Sequence, residues 1–332
     1  MRLTRARRVS LAAASGLAVA VLAAACGGSS SGSGGSSKPS SSSAAGAGKA
    51  SVVVGALPIV DDAGLYVAQK EGYFKQAGLN LTIKPVTQST AAIPDMLHGS
   101  IDVVAGANYV SFFEAQAHGT LQLTVLAQAT DCTPDTYGLV ALPSSGITKP
   151  ADLAGKTIAV NLTNNIQTLT TNAVLKADGV NPSSVKYVQI PFPDMISALT
   201  AHRVDAISVV EPFLAAALGG GAKLVTSTCT GPAASFPLSG YMATQSWVKQ
   251  NTSTARAFQK ALEKGQAYAQ AHPQVVRSIL PTYTKITAKA AASLPLSSFP
   301  STLTAAPMQR VATLMQGGGL AAPSNVGSLL LH

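Results

Sequence analysis

Polar and acidic side chains that could contact a ligand follow several short apolar runs of the chain. Each run has the length and composition of a buried β-strand, and the polar residues come directly after it. In open α/β sheets, ligands bind outside the carboxyl ends of the strands, so residues at these junctions are expected to converge. The candidate ligand contacts are Asp61, Asp62, Asn108, Tyr109, Asn161, Thr163, Asn164, Asn165, Glu211 and Phe213.

The polar run from Asn161 to Asn165 precedes a helix predicted over residues 166–176. The N-terminus of a helix presents free N–H groups and partial positive charge, so it binds polar or anionic groups without a basic side chain. A structural alternative is that Thr163 or Asn164 caps this helix. The run holds more polar residues than one cap requires, which favours ligand contact for the others.

The other candidates also have structural alternatives. Asp61 or Asp62 could cap a helix, and Tyr109 could belong to the core instead of stacking on a ligand ring. The carboxylate of Glu211 could make a contact between two parts of the fold instead of reaching the ligand. No Lys or Arg lies at these junctions, so the acidic residues favour a neutral, zwitterionic or cationic organic solute over a bare anion.

Patterns typical of catalysis and of metal binding are absent from the sequence. The histidines are dispersed, and no spacing of Cys and His suits a metal site. No pair of carboxylates has a partner for acid–base catalysis. We therefore predict a binding protein without catalytic residues, metal or cofactor.

The N-terminal residues have the pattern of a bacterial export signal. Several arginines precede an uncharged apolar run over residues 9–25, which is too short for a good membrane-spanning helix of about 20 residues. Residues 22–26, Leu-Ala-Ala-Ala-Cys, resemble the lipobox of bacterial lipoproteins, although the usual leucine lies one position closer to the cysteine. We predict a signal peptide over residues 1–25, lipidation of Cys26 and a flexible tether over residues 26–50, with the protein anchored at the extracytoplasmic face of the cell membrane. The pattern leaves the export route, general secretory or twin-arginine, open.

The net charge of +9 comes mostly from the predicted signal and tether. Six of the 23 Lys and Arg residues precede residue 50, which leaves 17 against 14 acidic residues. No cluster of Lys and Arg remains, and this excludes the concentrated basic face of a nucleic-acid-binding protein.

Apart from Cys26, the cysteines are Cys132 and Cys229. In an oxidising compartment such a pair predicts a disulfide, with two unpaired thiols as the alternative.

Short apolar runs alternate with helical patterns from residue 52 to about residue 225. This order is typical of βαβ units and of mostly parallel sheets covered by helices. From residue 252 the pattern becomes helical, and prolines then divide the remainder into short helices. The face of the first tail helix is Ala255, Phe258, Leu262, Gly265 and Ala269. About 280 residues exceed a comfortable single core, so we predict two α/β lobes with the helical tail packed on the first.

The chain resembles the substrate-binding proteins of nitrate, sulfonate, taurine and thiamine-precursor ABC importers in three segments, which occur in the same order. These are residues 64–79 (GLYVAQKEGYFKQAGL), residues 152–160 (DLAGKTIAV) and residues 204–213 (VDAISVVEPF). The resemblance implies a two-lobed, type II periplasmic-binding-protein (Venus flytrap) fold with a helical C-terminal tail. It also implies that the ligand binds between the lobes when the hinge closes.

The family mapping places lobe one over residues 51–130 and 231–332 and lobe two over residues 131–230. Both cysteines of the predicted disulfide then lie at the crossovers between the lobes, where a bridge would tie the hinge strands together.

The resemblance further implies that the protein delivers a small-molecule solute to an ABC permease and its ATPase, and that it acts as a monomer. A lipoprotein that presents its ligand to a membrane sensor is an alternative. A second alternative is an enzyme similar to the thiamine-pyrimidine synthases, which share the fold. Those enzymes work inside the cell and carry a cysteine-rich motif that this sequence lacks.

Overall fold

Two five-stranded sheets carry the part of the chain that the computed structural model describes, residues 50–331. The predicted signal peptide, Cys26 and the tether up to residue 49 lie outside the described residues. The strands are β1 (Ala50–Ala56), β2 (Leu79–Pro85), β3 (Val103–Asn108), β4 (Leu123–Asp131), β5 (Tyr137–Ala141), β6 (Thr157–Val160), β7 (Lys186–Gln189), β8 (Ala206–Val210), β9 (Lys223–Ser227) and β10 (Pro237–Thr244).

Helices connect most of these strands and form the C-terminal part of the chain. They are α1 (Ala63–Lys70), α2 (Tyr73–Gln76), α3 (Ile93–His98), α4 (Tyr109–Ala117), α5 (Ile166–Ala177), α6 (Phe192–Thr200), α7 (Phe213–Gly219), α8 (Gln245–Gln250), α9 (Thr252–Ala271), α10 (Pro273–Ile279), α11 (Ala288–Ala291) and α12 (Ala305–Gly317). Within residues 50–331, no helix combines the length and the apolar character that a membrane crossing requires.

Each sheet contains one strand that runs against the other four. The first sheet has the order β2-β1-β3-β10-β4, and β10 is antiparallel to both of its neighbours. The second has the order β7-β6-β8-β5-β9, with β5 as the reversed strand. Because the other strands of a sheet point the same way, their carboxyl ends lie at one edge, together with the amino end of the reversed strand.

The central strands are continuous apolar runs because helices cover both faces of the sheet. In β3, Val103 and Ala105 pack in the core beneath α1 and α9, whereas Val104 between them packs in the core on the opposite face. Successive side chains of a strand point to opposite faces, so a strand buried on both sides has no polar face. This confirms the predicted α/β architecture.

The chain crosses between the sheets twice, after β4 and after β9. Cys132 lies in the first crossing segment, directly after β4, and Cys229 lies in the returning segment, shortly after β9. The two cysteines form a disulfide with a Cα–Cα distance of 5.2 Å. Both cysteines are buried. The predicted disulfide is therefore confirmed, and it joins the two segments that connect the sheets.

The long helix α9 packs against α1 and β4 of the first sheet. Its buried face includes the five residues that the sequence pattern places there. The Nε2 group of Gln266 donates to the backbone oxygens of Gln128 (2.9 Å) and Ala129 (2.6 Å) in β4. The predicted packing of the helical tail on the first sheet is thus confirmed.

The contact between α9 and α1 requires a residue without a side chain at position 265. A Cβ atom on Gly265 would lie 2.4 Å from the Ala68 Cβ and 2.6 Å from the Gly64 backbone oxygen. We expect Gly265→Ala to lower the free energy of unfolding by about 1–3 kcal/mol through overpacking. Gly317→Ala in α12 is the matched control, because no atom lies within 4 Å of a Cβ there, and it should be neutral or stabilising by roughly 0.5–1 kcal/mol. Urea denaturation of both variants checks this, and equal effects would contradict it.

Candidate functional site

The facing edges of the two sheets enclose a small cavity. Its volume is about 30 Å³, which admits one or two water-sized groups. The first sheet and its connections contribute Leu57, Ile59, Asp61, Ser89, Gly106, Asn108, Leu238 and Ser239. The second sheet and its connections contribute Tyr137, Asn161, Asn165, Ile166, Gln167, Phe192 and Val210. The lining therefore combines apolar and uncharged polar side chains with a single carboxylate, and no Lys or Arg takes part.

Asp61 supplies that carboxylate, and it is 2% exposed. Tyr137, in β5 of the second sheet, donates its hydroxyl to Asp61 Oδ2 at 2.6 Å, and Ser239, in β10 of the first sheet, donates to the same oxygen at 3.2 Å. Burial raises the pKa of the Asp61 carboxyl, although these hydrogen bonds oppose the shift. Asp61 thus connects the two sheets through neutral donors alone.

Asp62 lies behind the cavity wall and is fully buried. Its Oδ2 accepts a hydrogen bond from the Leu57 backbone N–H at 2.8 Å, whereas its Oδ1 has no hydrogen-bond partner. Burial, and then the charge of Asp61, raise the pKa of Asp62 well above its usual value. Asp62 stands at the start of α1 without making a side-chain cap hydrogen bond, so the capping alternative is wrong for this residue.

The polar run before α5 divides between the cavity and the protein surface. Asn161 and Asn165 are buried and line the cavity, whereas Thr163 and Asn164 lie beside a larger groove of about 1030 Å³ between α5 and α12. Asn161 also connects the sheets, because its backbone oxygen accepts a hydrogen bond from Gln88 Nε2 at 2.6 Å.

The residue that caps α5 is Asn165, and the alternative that Thr163 or Asn164 is the cap is wrong. Asn165 Oδ1 accepts from the Thr168 backbone N–H at 3.0 Å, and Thr168 Oγ1 accepts from the Asn165 N–H at 2.9 Å. Asn164 instead has a left-handed backbone with φ 51°. Helix α5 therefore begins one residue later than a cap at Asn164 would require, and two residues later than a cap at Thr163 would require.

We expect Asn165→Ala to lower the free energy of unfolding by about 1 kcal/mol, because the Thr168 N–H loses its acceptor. Asn164→Gly is the matched control, since glycine tolerates the left-handed backbone at that position and should change stability by a few tenths of a kcal/mol at most. Thermal unfolding of both variants measures the difference. A larger loss for Asn164→Gly would contradict the assignment of the cap.

Asn108 ends β3 and Tyr109 begins α4, and the two side chains have different surroundings. Asn108 lines the cavity; its Oδ1 accepts from the Ser111 N–H at 2.9 Å and its Nδ2 donates to Ser89 Oγ at 3.2 Å. Tyr109 is fully buried beside Phe113, with the ring centroids 5.4 Å apart, and it does not line the cavity. The position of Tyr109 matches its core alternative.

Glu211 and Phe213 lie behind the cavity lining. The backbone oxygen of Glu211 accepts a hydrogen bond from the Val60 N–H at 3.2 Å, which is a contact between the two sheets. The side-chain Oε2 of Glu211 accepts from the Ala215 N–H at 3.1 Å, at the start of α7. Burial raises the pKa of Glu211 to about 7. Phe213 stacks on Phe192, which is one of the two aromatic side chains that line the cavity.

Three polar residues of the lining, Tyr137, Ser239 and Gln167, are not among the residues that the sequence predicts there. Tyr137 and Ser239 lie near the amino ends of the reversed strands β5 and β10, which reach the same edge as the carboxyl ends of the other strands. Gln167 lies inside α5, where its Oε1 accepts from the Asn161 N–H at 2.8 Å and its Nε2 donates to the Ser208 backbone oxygen at 2.6 Å. The available sequence signal for Gln167 was a glutamine in the first turn of the predicted helix, two residues after the polar run.

No metal centre is found in residues 50–331, because no three His, Cys, Asp or Glu side chains there are grouped as metal ligands. The lining offers hydrogen-bonding groups from Asp61 and the amides and apolar contacts from residues such as Ile59 and Phe192, which is the mixture typical of small-molecule sites.

Comparison with known proteins gives a consistent set of relatives. A family model described as "NMT1/THI5 like" matches residues 60–275. YtlA of Bacillus subtilis (strain 168), described as a binding protein, is 24% identical over 213 residues. That match spans 63% of this chain and 63% of YtlA, which is less than two thirds of its length.

Solved structures share the fold at low sequence identity. The ligand-binding component of an ABC-type import system from Staphylococcus aureus, with zinc bound, has a TM-score of 0.72 at 17% identity, covering 82% of this chain and 94% of its own. The alkanesulfonate-binding protein SsuA from Xanthomonas axonopodis pv. citri, bound to MOPS, has a TM-score of 0.70 at 18% identity, covering 85% and 98%. These likenesses confirm the predicted periplasmic-binding-protein-like fold.

Proposed function

The chain belongs to the NMT1/THI5-like family, and on that premise we propose that it is an extracytoplasmic solute-binding protein that delivers a small organic solute to an ABC importer. The solute binds in the cavity between the two sheets, and the protein carries out no chemical reaction on it. The descriptions of YtlA as a binding protein and of the Staphylococcus aureus protein as part of an import system support this proposal.

The observation that carries the proposal is the convergence of Asp61, Asn108, Asn161 and Asn165 on one cavity from two different sheets. The side chains that line a site between two sheets can surround a solute only if the sheets approach each other. We assign residues 51–130 and 231–332 to lobe one and residues 131–230 to lobe two. The cavity of about 30 Å³ corresponds to a closed arrangement, so a solute enters after the lobes separate.

The direct ligand contacts in this proposal are the four residues of that convergence, with Tyr137, Ser239 and Gln167 beside them. Thr163 and Asn164 lie at the groove next to the cavity. The remaining candidates do not line the cavity, and in this proposal they support the lining residues from behind. They are Asp62, Tyr109, Glu211 and Phe213.

Native mass spectrometry of the purified protein tests the binding function, because a solute retained from the cell adds its mass to the protein. A recovered solute at a hundred times its Kd should stabilise the protein by about 2.7 kcal/mol. The solute should leave the incubation chemically unchanged, and its turnover would identify an enzyme instead. Uptake of the same solute in cells with and without the ABC permease that the protein serves separates import from sensing.

The proposal includes lipidation at Cys26, by which the protein is held at the membrane beside its permease and ATPase as a monomer. Cys26→Ala should move the protein from the membrane fraction to the soluble extracytoplasmic fraction. Ser30→Ala, in the same predicted tether, is the matched control and should leave it with the membrane. Equal fractionation of both variants would argue against the lipid anchor.

A further inference from the structure

We propose that the solute bound in this cavity is an organic cation, whose ammonium or amidinium group donates hydrogen bonds to Asp61. This inference rests on the proposed function, because it assigns a chemical class to the solute of the same site. It is carried by the charge, the burial and the hydrogen bonding of the side chains around the cavity.

The region around the cavity contains buried acidic groups that have no cationic partner. Asp61, Asp62 and Glu211 are 2%, 0% and 3% exposed. Within residues 50–331, their side-chain hydrogen bonds come from hydroxyl and backbone N–H groups, and no Lys, Arg or His lines the cavity. A buried carboxylate without a cation is costly, and an ammonium or amidinium group of a ligand removes that cost.

A second acidic oxygen without a partner lies just behind the cavity wall and belongs to Asp62. Its Oδ1 is buried and has no hydrogen-bond partner. Gly106 lines the cavity next to it, and a Cβ atom on Gly106 would lie only 2.9 Å from this oxygen. Because glycine occupies this position, only a thin stretch of backbone separates the Asp62 carboxylate from the cavity.

The remaining lining favours an organic cation over a metal ion. Leu57, Ile59, Ile166 and Phe192 supply apolar surface for a hydrocarbon or ring. The described residues contain no cluster of three or more metal-ligating side chains. A cavity of this size in the closed arrangement holds a group of the size of an ammonium next to Asp61, and the body of a larger solute requires the lobes to open further.

The test uses a yeast extract that has been separated by ion exchange at pH 7 into cationic, neutral and anionic pools. The cationic pool is treated with EDTA and desalted, and each pool is incubated with the purified protein before thermal unfolding and native mass spectrometry. We expect the cationic pool to raise the Tm and to add a discrete mass. Stabilisation by the anionic or neutral pool alone would overturn the cation assignment and leave the solute-binding function standing. If no pool changes the Tm or the mass, the proposed function itself fails.

Asp61→Asn identifies the group that binds the cation. The asparagine oxygen still accepts hydrogen bonds, but the substitution removes the negative charge. Binding of the solute recovered from the cationic pool should therefore weaken about ten- to a hundredfold. Without solute the variant should unfold at the same temperature as the wild type or higher, because a buried charge is gone, which separates lost binding from lost folding. Asp178→Asn, at an exposed carboxylate after α5, is the matched control and should bind as the wild type does. Unchanged affinity in Asp61→Asn, or the same Tm shift with ZnCl2 or CaCl2 alone, would overturn the inference.

Discussion

Replacing both disulfide cysteines, in the variant Cys132→Ala with Cys229→Ala, should lower the free energy of unfolding by about 4–5 kcal/mol. The bridge spans a sequence separation of 97 residues, and a cross-link of that length strongly restricts the unfolded chain. Both cysteines are buried, so the loss of sulfur packing adds to the effect. Urea denaturation of the oxidised wild type and of the variant measures the difference.

The single variants provide the control for this prediction. Either substitution alone breaks the cross-link, so Cys132→Ala and Cys229→Ala should each lose nearly as much stability as the double variant. If the two single losses were small and simply added up to the double loss, packing rather than the cross-link would be responsible. Treatment of the wild type with a reductant should reproduce most of the loss without any substitution.

The disulfide also constrains the motion that the proposed function requires. It joins the chain just after β4 to the chain just after β9, and these are the segments through which the sheets are covalently connected. Hydrogen bonds such as Tyr137 to Asp61 and Val60 to Glu211 connect the two sheets at this edge, and apolar residues of both sheets, such as Ile59 and Phe192, pack in one cluster. A covalent connection on one side and non-covalent contacts on the other suit a hinge that opens and closes.

The sequence was sufficient to predict the residues at the carboxyl ends of the parallel strands. Asp61, Asn108, Asn161 and Asn165 follow apolar runs, and the common direction of the strands brings them to one edge of each sheet. Their convergence on one cavity also depends on how the two sheets face each other, which the strand pattern does not reveal. Tyr137 escaped prediction because the direction of a strand depends on its partners, and a short apolar run does not reveal that β5 is reversed.

Other errors came from details of one residue or one rotamer. The cap of α5 depends on where the helix begins, and adjacent asparagines at positions 164 and 165 suit a cap equally well by type. The side chain of Glu211 follows a strand end as predicted, but it turns to the N–H of Ala215 instead of the cavity. Sequence patterns specify the position of a residue along a strand more reliably than the direction of its side chain.

The stability of the unliganded protein should fall as the pH rises from 5 to 8.5, and Glu211 should account for about 2–3 kcal/mol of that fall. Its pKa is raised from 4.5 to about 7 by burial. The folded protein therefore holds the Glu211 proton more tightly than the unfolded chain does. The resulting contribution to stability is fully present below pH 4.5 and is lost as the pH rises through about 7. Burial also raises the pKa values of Asp61 and Asp62, so they add a dependence of the same sign.

Glu211→Gln isolates this contribution, because glutamine stays neutral and its oxygen can still accept the hydrogen bond from the Ala215 N–H. We expect the variant to be more stable than the wild type by up to about 3 kcal/mol at pH 8.5 and by less than about 1 kcal/mol at pH 5. Glu71→Gln, at a partly exposed glutamate after α1, should keep the pH dependence of the wild type. Urea denaturation at a series of pH values makes the comparison, and parallel curves for wild type and Glu211→Gln would show that Glu211 is ionised in the folded protein throughout this range. If the stability of Glu211→Gln still falls with rising pH, but by less than that of the wild type, the remaining fall belongs to Asp61 and Asp62. These are the groups that a bound cation is expected to stabilise in their charged form.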